Sequence, residues 1–587
     1  MIAAAAYGGY ALIGKATSGE NMAVQSGSVA VTDDGKIKLF DKFNRYVLED
    51  FDAKPTFSDF LPGVAGYFGK PVWSFYVNRG QGMASFGTES KEYPILEFNA
   101  ANKAYQVTPY VGFRSFVRGT RSLSSFETEP FSPSNTRNLA LDDKDATKPK
   151  RFMYVGANEF EVQEFDQVNN LAVSATYFVL PEEDFGTLVR RATYTNTGDS
   201  DLTLSVLDGL AKIEPSGGML DWSLKQMGRT LEGWMGVYHV DDTLKMPFYK
   251  MSTEPGDSAS VKIQEAGHYC LAFLETMTET AELLPIVYDT TKVFGQSTSL
   301  QYPAGLAASS VGEILASHQY GDATTSSAFA AIDRLTLKPG ENFTIATFYG
   351  QAGHIADVPK IVDIITAPGY VQAKFERARK LIDELTAGVE TNTANPLFNG
   401  AVQQMFLDNA LRGGMPTVMG KVEGTATYDE DEGVKIFHAF SRIHGDLERD
   451  YNAFSIQPAY YSQGPGNYRD VAQNRRDDVT FLPRMGAYDV KIFLSYIQAD
   501  GYEPLTVEAV AYMFEDKELT VELATKLTAD PDSAKSEIPE CVVRLLFSLY
   551  HACAHDRSPL PNSPFQYSYG RSVPTRTTLP ACGRLAH

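Results

Sequence analysis

Between Tyr461 and Asp478 the chain reads YSQGPGNYRDVAQNRRDD, the densest run of polar side chains in the sequence. Gly464, Pro465 and Gly466 specify a backbone turn on which side chains can converge around something small. Arg469, Asp470, Gln473 and Asn474 then supply donors and acceptors at close spacing. Sugars are gripped by such groups, because carboxylates and amides can hold vicinal hydroxyls by paired hydrogen bonds. An aromatic such as Tyr468 can pack on the apolar face of a sugar ring. The plainer alternative is a solvated surface loop whose charges pair with one another.

Other clusters carry weaker chemistry. In Ser441–Tyr451, His444 and Glu448 stand at i and i+4, a spacing that suits metal ligands. Gly445 interrupts the pair and no further His or Cys lies nearby, so a salt-bridged turn or a hydrogen-bonded histidine is the better reading. His551 and His555 flank Cys553 in HACAH, zinc-ligand types at the edge of a compositionally odd tail. No metal site is expected. In LRGGMP, Gly413 and Gly414 read as a helix C-cap and Pro416 as a stop. Arg412 joins the candidate site only if it shares a cavity with Asp470. Near the N-terminus, Asn78, Arg79 and Gln81 precede GMASFG. With no GK[ST] following, this stretch is no phosphate loop, and it reads as a strand pair around a turn. The alternative is that these three side chains project toward the following helical domain.

These groups need elements to hold them. Up to about residue 355 the sequence reads as β structure. Leu171, Val173, Ala175, Tyr177 and Val179 alternate at period two, as do Leu202, Leu204 and Val206 after the turn-like Asn196–Asp199. A large, mostly antiparallel β-sandwich is the expected result. From 356 to 393 the period changes. Val371, Phe375, Ala378, Ile382 and Leu385 recur every three or four residues after Pro368-Gly369, predicting an amphipathic linker helix. From 394 to 555 helices are expected at 396–411, within 505–528 and at 540–554. Long polar loops, 422–433 and 460–478, lie between them. The Pro- and Arg-rich stretch 556–587 is expected to be an irregular tail.

Composition narrows the function. Lys plus Arg number 52 and Asp plus Glu 73, a net charge of −21. A field of that sign repels phosphate backbones and anionic lipid, so nucleic-acid and membrane-surface partners are not expected. Four scattered cysteines suggest a reducing compartment, and with no leader or membrane-length apolar run visible, a cytoplasmic location is expected.

Five segments carry a resemblance: FDKFNRYVLEDFD from Phe40, FLPGVAGYFGKPVWSFYVNRGQGMASFG from Phe60, EFNAANKAYQ from Glu97, RIHGDLERDYN from Arg442 and NYRDVAQNRRDDV from Asn467. Together, and in this order, they resemble the inverting β-glucan phosphorylases of the cellobiose-phosphorylase clan, closer to its oligoglucan-acting branches. The resemblance runs from about Asp41 to about Cys553. It implies an N-terminal β-sandwich, a helical linker and an (α/α)6 barrel. It implies reversible phosphorolysis of β-glucan oligosaccharides to α-glucose 1-phosphate, with inorganic phosphate as co-substrate, no other cofactor, and dimers as a common assembly. One Asp protonates the departing oxygen. The family's sugar-gripping motif matches Tyr468, Arg469, Asp470 and Gln473, which become the expected donor-sugar residues. The family's general acid falls at or beyond the end of this chain, with Asp470, Asp477 and Asp478 the nearest alternatives. A twelve-helix barrel needs roughly 350 residues, and about 190 follow Asn395. An incomplete barrel is therefore expected, as in a fragment or mis-predicted gene, with catalysis weak or absent. The alternatives are a glycoside hydrolase on a helical barrel and a carbohydrate-binding protein without turnover.

Overall fold

The computed structural model describes residues 39–507, except 67–68, 89, 123, 134–147, 216–219, 242, 256–258, 414, 420–426, 429–434, 440–441, 444–454, 457–465 and 477. Contacts divide the chain into two units, the first running to Leu407 and the second beginning at Asp408.

The first unit is built on antiparallel sheets. Nine strands form the largest, in the order Tyr46–Glu49, Lys150–Val155, Glu159–Asp166, Leu171–Val179, Thr187–Asn196, Asn342–Ala352, Gly267–Leu274, Pro247–Met251 and Met235–His239. A five-stranded sheet runs Ile286–Asp289, Ser326–Leu337, Leu202–Ile213, Phe113–Arg121 and Ser124–Thr128. A third joins Ser58–Leu61, Val72–Val77, Met83–Thr88 and Pro94–Leu96. Alternation explains the packing. Leu171, Val173, Ala175, Tyr177 and Val179 lie in one buried cluster with Leu202, Leu204, Val206 and Leu210 of the five-stranded sheet. Each such side chain removed from water contributes roughly 1.5–3 kcal/mol.

Both large sheets are also covered on their outer sides. Phe178, one residue out of phase with the inner set, packs with Val189, Leu271, Phe348 and the helices Val358–Ile365 and Tyr370–Thr386. Its ring lies 5.0 Å from that of Phe375. Every residue of Leu171–Val179 is therefore buried, whereas alternation with one wet face would have left half exposed. On the far side, Leu207 and Phe329 of the five-stranded sheet pack with Phe294, Leu306 and Ile314. These three come from the short helices Thr290–Phe294, Ala304–Ala308 and Val311–Ala316. The β reading of this region thus acquires helices that period-two patterning did not predict, including Ala101–Val111.

The helix that the period predicts is present as Tyr370–Thr386, preceded by the shorter helix Val358–Ile365. Polar residues fasten Tyr370–Thr386 to the sandwich. Arg379 places two guanidinium nitrogens 2.5 and 2.7 Å from the Glu159 carboxylate, and Arg377 donates to Glu182 at 2.7 Å.

The stretch 72–88 is a strand pair around a turn. Gly80 and Gly82 hold φ of +57° and +85°, and a Cβ on Gly82 would lie 2.4 Å from the Phe160 ring. Asn78 and Gln81 do not project outward. Asn78 Nδ2 donates to the Phe51 carbonyl at 2.8 Å and Gln81 Nε2 to Ser115 Oγ at 2.9 Å, both in the interior of the first unit. Arg79 donates to Thr56 Oγ1 at 3.1 Å.

In the second unit, Met415–Met419 pairs with Lys435–Ala439, Arg442–Ile443 with Ser455–Ile456, and Gly466–Asn467 with Thr506–Val507. Helices follow at Tyr468–Arg475, Asp478–Phe481 and Tyr488–Ser495. Tyr428, Ile436 and Met485 form a small core. The helix Pro396–Gly413 ends at the Gly-Gly pair. The described residues do not compose an (α/α)6 barrel. What they show is a β-rich part followed by a part with helices. The expected loop 460–478 is corrected in its second half, where eight residues are helical. Their sequence, YRDVAQNR, contains no apolar period to announce it.

Candidate functional site

Tyr468–Arg475 begins directly after the strand residues Gly466–Asn467. Its apolar side is narrow. Tyr468 and Val471 are buried, three residues apart and hence on one face. The Tyr468 hydroxyl donates to the Phe493 carbonyl at 2.8 Å. The Tyr468 ring meets Phe493 and Tyr496 edge-on, with centroids 5.4 and 6.5 Å away. Tyr468 therefore anchors the helix against Tyr488–Ser495.

Arg469 and Gln473 lie on the exposed side, i and i+4, one turn apart. The side chains of Asp470 and Arg412 lie outside the described residues, as do the backbones of His444, Glu448, His551, Cys553 and His555. The structure thus brings Arg469 and Gln473 to one face and turns Tyr468 to the other.

A further group escaped the sequence reading. Asp478 opens the helix Asp478–Phe481, and Asp489 lies in the first turn of Tyr488–Ser495. Their carboxyls hydrogen-bond to each other. Burial pushes each up to about 7, against the pull of the Arg475 guanidinium. Two carboxyls can share a hydrogen bond only with a proton between them. Burial also raises the Tyr496 hydroxyl, which senses Arg475, Tyr488 and Tyr468. Asp478 could be suspected from RRDD. Asp489, eleven residues on in a stretch without polar density, could not.

Among the described residues no group of three or more His, Cys, Asp or Glu could hold a metal ion. No helix among them is long and apolar enough to cross a membrane.

No known family profile matches the chain, and no curated protein matches its sequence. Solved structures to which it is similar are carbohydrate-processing enzymes. A polysaccharide lyase is 11% identical over 51% of this chain and 34% of that one, with a TM-score of 0.28. A bacterial glucoamylase complexed with acarbose is 9% identical over 84% and 60%, with a TM-score of 0.34. A proposed kojibiose phosphorylase from the human microbiome is 8% identical over 62% and 32%, with a TM-score of 0.20. The chain thus spans between about one third and 60% of the length of these structures.

Proposed function

We propose that this chain is a carbohydrate-active protein whose helix Tyr468–Arg475 grips one glucosyl unit. We further propose that the reaction it serves is inverting phosphorolysis of β-glucan oligosaccharides. The observation that carries this reading is the exposed pair Arg469 and Gln473 on a helix anchored from behind by Tyr468. A cation and an amide one turn apart span the hydroxyls of a single ring and can each hold two of them. In the proposed reaction, a phosphate oxygen attacks the anomeric carbon as the glycosidic bond breaks. The departing oxygen takes a proton from a carboxylic acid, a role for which Asp470 is the fallback in the sequence. Phosphate arrives as an anion and needs no base, so inorganic phosphate is the co-substrate and no metal is required.

The acid pair bears on the choice between reactions. An inverting hydrolase separates its two carboxyls by roughly 6.5–9.5 Å and a retaining one by about 5–5.5 Å. Asp478 and Asp489 are in hydrogen-bond contact, so this pair has neither spacing and cannot seat a water between acid and base.

The test is incubation of the whole chain with β-1,3-, β-1,2- and β-1,4-linked glucose oligosaccharides, with and without phosphate. Phosphate-dependent release of α-glucose 1-phosphate, however slow, would support the reading. Cleavage indifferent to phosphate would establish a hydrolase instead. Saccharide binding without turnover, abolished by Asp470→Ala, would establish a binding protein.

A further inference from the structure

The last strand of the nine-stranded sheet, Met235–His239, carries a surface that the candidate site above does not use. Val237 belongs to the inner core, whereas Tyr238 packs from the outer side. The segment 321–323 lies along this edge. Val237 N donates to the Gly321 carbonyl at 3.1 Å and Ala323 N to the Met235 carbonyl at 2.9 Å. That pattern sets Asp322 opposite Gly236. Because Gly236 has no side chain, the Tyr238 ring and the Asp322 carboxylate close over it: a Cβ there would lie 3.3 Å from Tyr238 Cε2 and 3.6 Å from Asp322 Oδ1. From the neighbouring strand Pro247–Met251, Lys250 Nζ stands 4.5 Å from the centroid of the Tyr238 ring. Two residues before Asp322, Tyr320 is 66% exposed. It is held in place by its N–H, which donates to Asp289 Oδ2 at 3.0 Å, and by His318, whose ring meets its own edge-on at 4.6 Å. Trp234, two residues before Gly236, is 37% exposed. We propose that Trp234, Tyr238, Lys250, Tyr320 and Asp322 form a second saccharide-binding surface, on the first unit, that holds a neutral glucan chain. The choice of a glucan rests on the function proposed above. The surface itself is read from the first unit alone.

The chemistry of the patch selects an uncharged polyol. Asp322 is exposed and makes no ion pair or hydrogen bond among the described residues, so both its oxygens are open to hydroxyl donors. Lys250 spends one N–H on the Gln264 carbonyl at 2.6 Å and keeps two for acceptors. One carboxylate and one ammonium leave the patch locally neutral, and the net charge of −21 on the chain opposes an anionic polymer. Exposed aromatic rings beside such groups match the apolar face and polar rim of a sugar. From Trp234 to Tyr238 the backbone covers four residues, about 13 Å when extended. That is wider than a single sugar ring, so a chain rather than one glucosyl unit would lie across the whole patch. A protein partner fits less well, because a dry interface would have to strip water from Asp322 and bring a cation to it.

The test separates this surface from the Arg469–Gln473 face. Retention of the whole chain on insoluble β-1,3-, β-1,2- and β-1,4-linked glucans is measured for the native protein, for Tyr320→Ala, for Asp322→Ala and for the double variant Arg469→Ala, Gln473→Ala. Tyr320 and Asp322 are both exposed, so their variants should keep the native melting temperature within a degree or two. Each is expected to weaken retention on at least one polymer about tenfold. The double variant should still be retained, and should lose retention once Tyr320→Ala is added. Hydrogen exchange of segment 317–325 in the native chain, slowed by a soluble form of the retaining glucan, would support the same surface without any substitution. Retention that neither Tyr320→Ala nor Asp322→Ala changes would overturn the proposal. So would self-association abolished by Tyr320→Ala in a chain that holds no glucan, which would mark the patch as a protein interface. A chain retained on polymer through Tyr320 but blind to short oligosaccharides keeps this surface and rejects the Arg469–Gln473 reading. Oligosaccharide binding that depends on Arg469 and is indifferent to Tyr320 and Asp322, with no polymer retained, does the reverse. No binding of either kind rejects both.

Discussion

Arg190 and Asp208 meet at the centre of the first unit, each on a different sheet and neither reached by solvent. Arg190 Nε donates to the Tyr177 hydroxyl at 3.1 Å and Nη2 to Gln81 Oε1 at 2.5 Å. Asp208 Oδ1 accepts from Ser115 Oγ at 2.6 Å and from the Tyr194 hydroxyl at 2.7 Å. Four strands and the Gly80–Gly82 turn therefore share one polar network. Removing one charge leaves the other buried and unbalanced. Asp208→Ala should cost about 3–5 kcal/mol, read as a fall in the urea midpoint. The double variant Arg190→Met, Asp208→Leu should cost less than Asp208→Ala, because it leaves no isolated charge.

Phe375 carries the contact between the linker helix and the sandwich. Its ring sits 5.0 Å from Phe178, with the guanidinium groups of Arg379 and Arg191 at 4.2 and 5.1 Å from its centroid. Phe375→Ala opens a cavity and should destabilise the first unit by about 3–5 kcal/mol. Phe375→Leu should recover much of that loss in thermal melts, since it refills most of the volume but not the cation–π contacts.

His268 lies in the strand Gly267–Leu274 and is fully buried. Burial lowers it to about 4, opposed by a hydrogen bond with the Pro94 backbone. A histidine held down in the folded state binds fewer protons there than when unfolded. The stability it lends is complete above about pH 6.5 and is lost as the pH falls toward 4. Between pH 7 and pH 5 that amounts to about 2 kcal/mol. Comparison of urea midpoints at the two values should show a smaller drop in His268→Gln than in the native chain.

Arg469→Ala and Gln473→Ala should each weaken saccharide binding about tenfold while leaving the melting temperature within a degree or two, because both side chains are exposed. Tyr468→Phe removes only the hydroxyl bonded to Phe493. It should cost about 1 kcal/mol of stability, with a smaller effect on affinity. Isothermal titration with a glucose oligosaccharide, beside scanning calorimetry, separates the two classes.

The parts legible in the sequence were those with a regular apolar period. The alternation of Leu171 to Val179 and the period of Val371 to Leu385 each name the side that meets a core. Phe178 was not legible as a packing residue, because a strand covered on both sides has no polar phase to contrast with. The helix Ala101–Val111 hides behind Pro109, which sits inside it, and behind an uneven apolar stripe. At the candidate site, the sequence marked Tyr468 through Gln473 by density of polar types, but a run of polar residues does not say which way each side chain turns. Asp489 was invisible because only folding brings it to Asp478.

The outward cover of the nine-stranded sheet has a practical side. Val358, Ile361, Ile365, Val371 and Phe375 are its lid, and all belong to the stretch after the last long strand. A recombinant piece cut at residue 355 would strip that lid away and present a wide greasy plate to solvent, inviting precipitation. A piece cut at 393 would carry its own roof and should behave as a tractable soluble sample.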